Sequence, residues 1–246
     1  MIQVEEKLKQ VGLKHASEEY PEVVREASRK EMSYEKFILN LLEKEHEMRL
    51  KKREEMLFRL SNIPVIKTFK GFDFSFNTSI DKKVIEELKT LRFVREKSNV
   101  VLLGPPGVGK THIATALGVE AIQEGHMTYF TTIDEMLRKL KSTKEENFTR
   151  KLRNYKKAKL LIIDEVGYLP LNKEEANVLF HVINERYENG SIIITSNKSI
   201  TEWGKYLSDE VLASALLDRL LHHCFIINIK GDSYRLKEQR KTNKKE

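Results

Sequence analysis

The chain has 246 residues, 40% hydrophobic and 33% charged, with 44 Lys+Arg against 37 Asp+Glu for a formal net charge of +7. That composition supplies the core of one sizeable α/β domain plus a small appendage and excludes a disordered or fibrous chain. No run approaches the roughly 18–20 apolar residues of a membrane span, the opening MIQVEEKLKQ lacks the apolar core of a secretory signal, and the lone Cys224 cannot close an internal disulfide, so a cytoplasmic protein with no membrane partner is expected.

Residues 1–63 contain no convincing strand and carry 13 acidic and 13 basic side chains. Apolar residues recur at helical intervals, Val4, Leu8 and Val11 and then Phe37, Leu41 and Met48. Pro21 is expected to interrupt the first helical region, and Ser33 to cap the second. This reads as a helical docking domain, too small to build much of a core alone. From Pro64 an aromatic-rich linker follows, KTFKGFDFSF, and then a helix around Asp81–Leu91. The remainder, 64–246, alternates strands and helices. Short β-branched runs at Asn99–Leu103, Met127–Thr132, Lys159–Asp164, Ser191–Thr195 and Cys224–Ile229 predict a parallel five-stranded sheet sandwiched by helices.

The first run leads directly into Gly104-Pro105-Pro106-Gly107-Val108-Gly109-Lys110-Thr111, followed by His112 and an amphipathic helix. This fills G-x-x-x-x-G-K-[ST], with a strand before and a helix after. Glycines let backbone N–H groups turn toward phosphate oxygens, and the helix N-terminus adds its partial positive charge. Lys110 is expected at the terminal phosphates of ATP and Thr111 in a Mg²⁺ shell. The third run ends in Asp164-Glu165, where the first carboxylate suits Mg²⁺ and the second suits a base for an attacking water. The fourth ends in Ser196-Asn197, at the strand end where ligands of open α/β sheets bind. Asn197 there either orients the lytic water or starts a turn. Arg219, in ALLDRLLHH, is either a surface partner of Asp218 or an arginine finger reaching the nucleotide of an adjacent subunit.

Together GPPGVGKTH, LLIIDEVGYLP, IITSN, LLDRLLHH and GDSYR resemble the AAA+ ATPases of the IstB/DnaC type, over nearly the whole chain. The resemblance implies a Walker A element at Gly104–Thr111, Walker B at Asp164 and Glu165, sensor 1 at Asn197 and an arginine finger at Arg219. It further implies an ATP-hydrolysing homo-oligomer, with ATP at the subunit interface, that assembles on double-stranded DNA and assists a cognate transposase. A replicative helicase loader of the DnaC type is the alternative. Arg235 in GDSYR is a candidate for sensor 2. Only seventeen residues follow Ile229, too few for the helical lid usual in AAA+ proteins, which implies that a neighbour helps to close the site.

Residues 137–159 carry ten basic and two acidic side chains. With Phe148 and Tyr155 interleaved, this segment is a candidate DNA surface carried by Arg150, Arg153 and Lys156; the other reading is a solvated helix face. A P-loop kinase acting on a small molecule would need an acceptor pocket and an arginine-rich lid, and neither is evident. A nucleotide-gated scaffold that scarcely hydrolyses is the remaining rival.

Overall fold

The computed structural model describes residues 2–141 and 145–237, and the chain divides into two compact units, Met1–Met56 and Leu57–Glu246. The division falls inside a long helix, upstream of the Ile63–Pro64 break suggested by the sequence. The reason lies in the second unit. There Leu57 and Ser61 are buried, the Ser61 carbonyl accepts from the Phe130 N–H at 2.7 Å, and Ile63 packs into a core cluster.

The first unit is built from α1 (Ile2–Gln10), α2 (Lys14–Arg29) and α3 (Tyr34–Leu60) as far as Met56. Its small core joins Ala16, Val23 and Leu41 with Leu8, Leu13, Tyr20 and Phe37, while Val4 and Val11 remain exposed. Pro21 does not interrupt the chain; it lies within α2. The break comes at Gly12, whose φ of 85° is left-handed, a conformation glycine adopts without strain. Ser33 does cap α3, accepting from the Lys36 N–H at 3.3 Å.

The N-terminus of α2 is capped from a distance. Glu45 Oε2 accepts from the backbone N–H groups of His15 at 2.8 Å and Ala16 at 2.9 Å, and Arg49 Nε donates to Oε1 at 2.6 Å. Burial alone would raise the Glu45 pKa, but the Ala16 N–H, the Arg49 side chain and the His15 N–H together hold it below the ordinary carboxylate value. A depressed folded-state pKa stabilises above the unfolded value, and that contribution disappears as pH falls through the folded one. We expect Glu45→Ala to destabilise α2 by about 1.5–3 kcal/mol at neutral pH. Hydrogen exchange of the α2 amides in the full chain checks this, and the difference from wild type should shrink in acid.

The second unit begins with α4 (Lys82–Lys89), capped by Asp81, and the short α5 (Arg92–Arg95). Then come β1 (Asn99–Leu103), α6 (Lys110–Gln123), β2 (Thr128–Thr132), α7 (Ile133–Lys141), α8 (Glu145–Lys157) and β3 (Leu160–Val166). The unit continues with α9 (Lys173–Arg186), β4 (Ser191–Ser196), α10 (Trp203–Tyr206), α11 (Glu210–Leu221) and β5 (Cys224–Asn228). The strands form one parallel sheet in the order β2-β3-β4-β1-β5.

Alternate residues of each strand face opposite layers, and both faces are covered. Val100, Leu102, Leu160, Ile162 and Ile193 pack against Ile85 and Leu88 of α4 and Ile113 and Leu117 of α6. Val101, Leu103, Leu161, Ile163, Ile192 and Ile194 pack against the layer formed by α7 to α11. Double burial explains why the strands read as continuous apolar runs.

The basic helix α8 departs from expectation. Phe148, Leu152 and Tyr155 recur at helical spacing on one face and pack on the core, with Tyr155 only 2% exposed and edge-on to Tyr129. Neither aromatic is placed to stack on a nucleobase. Arg150, Arg153 and Lys156 are exposed, with Lys156 at the flank of the packed face and paired to Glu185. Residues 142–144 of the basic segment lie outside the described residues, as do residues 238–246.

Candidate nucleotide-binding site

The site sits at the C-terminal ends of β1, β3 and β4, where parallel α/β sheets bind ligands. The loop leaving β1 is tied to its neighbours by the Gly104 N–H, which donates to the Ser196 carbonyl at 3.1 Å. Gly107 and Gly109 have φ of 83° and 103°, and both are closely covered. A Cβ at Gly107 would overlap Ser233, and one at Gly109 would press on the Phe72 ring at 2.8 Å. Only glycine serves at either place.

Lys110 is 7% exposed, and its Nζ donates to the carbonyls of Gly104 and Pro105 at 2.7 and 2.8 Å. Burial lowers its pKa, opposed by the Asp164 carboxylate and reinforced by Arg235. Thr111 Oγ1 lies 2.9 and 3.1 Å from the two oxygens of Asp164. A hydroxyl converging with a carboxylate suits Mg²⁺, which takes one or two protein oxygens and completes its shell with water and phosphate. Of the remaining loop residues, Val108 is buried in the core and Pro105 and Pro106 are exposed. His112 stands edge-on to Phe72 at 5.1 Å, with Nε2 2.9 Å from the Thr68 carbonyl.

Asp164 and Glu165 belong to a strand longer than the sequence suggests. β3 continues to Val166 through an irregularity in its pairing with β4 between Ile163 and Val166. Glu165 there takes a φ of 65°, a strained conformation for a residue with a side chain, and such strain gathers at functional sites. What holds it is Thr195, which the sequence reading passed over. Thr195 Oγ1 donates to Asp164 Oδ1 at 2.5 Å and accepts from the Glu165 N–H at 3.0 Å. One buried hydroxyl thus fixes both acidic residues. Partial burial, then Asp164 and Asp134, raise the Glu165 pKa against the pull of Arg235. A raised carboxylate facing a cleft is suited to accept a proton.

The cleft over these groups has a volume of about 350 Å³. Lys110, Thr111, Glu165, Thr195 and Asn197 line it, and so does Arg235. Asn197 Oδ1 is buried without a partner among the described residues and would meet a Cβ at Gly167 at 2.8 Å. The short tail proves sufficient to bring Arg235 in. The Tyr234 N–H donates to the Gly107 carbonyl at 3.0 Å, its ring stands edge-on to Phe76 at 5.1 Å, and Lys237 lies over Phe76. The aromatic linker and the tail therefore clasp the P-loop between them.

Arg219 lies elsewhere. It lines a separate cavity of about 340 Å³, with Asn99, Ile192 and His223, at the N-terminal ends of the strands. A five-residue strand spans roughly 17 Å, so Arg219 and the cleft lie at opposite ends of the strands. Its Nη1 donates to the Ala215 carbonyl at 2.9 Å, and its guanidinium lies over the Phe180 ring at 5.0 Å. Among the described residues no ion pair joins it to Asp218.

A parallel sheet in this strand order, with a phosphate loop after β1 and paired acids at the end of β3, defines an AAA+ P-loop fold. Solved structures share it at low identity. The crystal structure of DnaI superposes with a TM-score of 0.57 at 22% identity, covering 66% of this chain and 90% of that one. AMPPCP-bound DnaA from Aquifex aeolicus gives 0.58 at 22%, covering 75% and 57%. The family is narrower. The chain belongs to the IstB-like ATP binding proteins, whose family model matches residues 6–242. It is 46% identical over 98% of its length to an insertion sequence IS21 protein of Pseudomonas aeruginosa, ATP-binding by its name, of which 91% is covered. A protein similarly named for insertion sequence IS5376 of Geobacillus stearothermophilus is 47% identical over 89% of this chain and 88% of its own.

Proposed function

We propose that this protein hydrolyses ATP at a site shared between subunits, assembles on double-stranded DNA, and assists the transposase of an insertion sequence. The observation that carries the shared site is the placement of Arg219 at the ends of the strands opposite its own cleft. Its own cleft is out of reach, which supports a role toward the cleft of a neighbour. The names of the relatives supply the insertion-sequence setting.

Within the cleft, the loop N–H groups and Lys110 bind the phosphates, and Thr111 with Asp164 would hold Mg²⁺. That ion, when bound, supplies charge neutralisation at the phosphoryl oxygens. Glu165 accepts the proton of the attacking water, Asn197 orients that water, and Thr195 positions both acids. Arg235 adds positive charge from the tail. Arg219 of the adjacent subunit meets charge developing on the transferring phosphoryl.

The exposed side of α8 is the DNA surface in this reading, through phosphate neutralisation without base stacking. α3 leaves Tyr34, Ile38 and Leu42 exposed in one stripe four residues apart, which suits the first unit to dock the transposase. Reversing Arg150, Arg153 and Lys156 to glutamate is expected to weaken duplex DNA binding by at least tenfold at fixed salt and to leave nucleotide affinity unchanged. Fluorescence anisotropy with labelled duplex measures the first and calorimetric titration with ATP the second, and unchanged DNA affinity would remove α8 from the interface.

A further inference from the structure

Next to the P-loop stands a polar group that phosphate binding does not use. Asn77, 5% exposed, lies between the aromatic linker and α4. Its Oδ1 accepts from the backbone N–H of Ser79 at 3.1 Å and from Ser79 Oγ at 2.7 Å. A backbone N–H can only donate, so the amide orientation is fixed, with Oδ1 toward Ser79 and Nδ2 away from it. Nδ2 is buried and has no acceptor among the described residues, a costly condition that native proteins keep rare.

Asn77 lines a narrow cavity with Phe72, Phe76, Val108 and Tyr234. Gly71, His112 and Tyr234 line both this cavity and the cleft over the P-loop, so the two adjoin. Aromatic walls with one convergent donor, beside a phosphate cradle, have the make-up of a subsite for a flat heteroaromatic ring.

We propose that Asn77 reads the base of the bound nucleoside triphosphate, its Nδ2 donating to a ring-nitrogen acceptor on the purine edge. This rests on the nucleotide reading of the cleft given above. The cavity measures only about 50 Å³, so the base is seated partly in the adjoining cleft, with which the cavity shares Gly71, His112 and Tyr234. Base recognition is thereby joined to the tail that carries Arg235.

The test measures equilibrium binding of ATP, of its 1-deaza, 3-deaza and 7-deaza analogues, and of inorganic tripolyphosphate to the full chain and to Asn77→Asp. Aspartate keeps the acceptor for Ser79 and replaces the donor with a second acceptor. The substitution should weaken ATP roughly tenfold or more and leave tripolyphosphate unchanged. One deaza analogue should cost the wild type a similar factor and cost the variant little further. Equal ATP affinity in the two proteins would overturn the assignment, as would an equal loss for tripolyphosphate. Wild-type protein that binds neither ATP nor tripolyphosphate would instead refute the nucleotide reading of the cleft, and this inference with it.

Discussion

Replacing Glu165 with Gln should leave ATP bound and slow its hydrolysis by roughly 10²–10⁴-fold, the usual worth of a positioned general base. The amide keeps the shape of the side chain and can still face the cleft, but it cannot take a proton. The backbone that presents it is held independently, through the Glu165 N–H to Thr195 Oγ1, so the φ of 65° should survive the change. Lys110→Ala provides the contrast, since losing the ammonium beside the loop should abolish binding itself. Phosphate release and nucleotide affinity, measured on both variants, separate the two roles. The wild-type profile carries a second signature. A base works only when deprotonated, and burial with Asp164 raises the Glu165 pKa. Turnover should therefore fall with acid at a higher pH than an unperturbed glutamate would give. Normal hydrolysis by the glutamine variant would remove Glu165 from this role.

Arg219→Ala should cost roughly 10³–10⁵-fold in turnover, as loss of an arginine finger does, with nucleotide affinity little changed. The residue lines no part of its own cleft, so under the proposed shared site the effect depends on a neighbour. A mixing experiment exposes that dependence. Glu165→Gln subunits keep an intact Arg219, and Arg219→Ala subunits keep an intact cleft, so a mixture should recover activity that neither has alone. Activity that stays at the sum of the two inactive proteins would show that Arg219 acts within its own chain or serves only to pack on Phe180.

The parts of the site legible in the sequence are those made by contiguous residues. A strand, a glycine loop, a lysine and a helix follow one another between Asn99 and Gln123, and the fold preserves that order in space. Asp164 and Glu165 were legible for the same reason. Thr195 was not, because its role arises from the pairing of β3 with β4, which brings it beside both acids across 31 and 30 residues of chain. Nor was the clasp of linker and tail, in which Tyr234 meets Gly107. Its parts are local turns whose meaning appears only on the finished sheet. The basic segment is a different case. Phe148, Leu152 and Tyr155 already showed helical spacing, and applying that period to them would have assigned both aromatics to the core.

If Arg219 serves the cleft of a neighbour as proposed, its placement at the opposite ends of the strands also constrains how copies can associate. A subunit that offers a cation at one edge and receives one at the other joins unlike faces. A two-fold axis pairs like with like, so a dimer built on one would bring finger to finger or cleft to cleft. Head-to-tail contacts instead close into rings or continue as open helices. An open helix leaves a lone cleft at one end and a spare arginine at the other, and hydrolysis could begin only behind a subunit already in place.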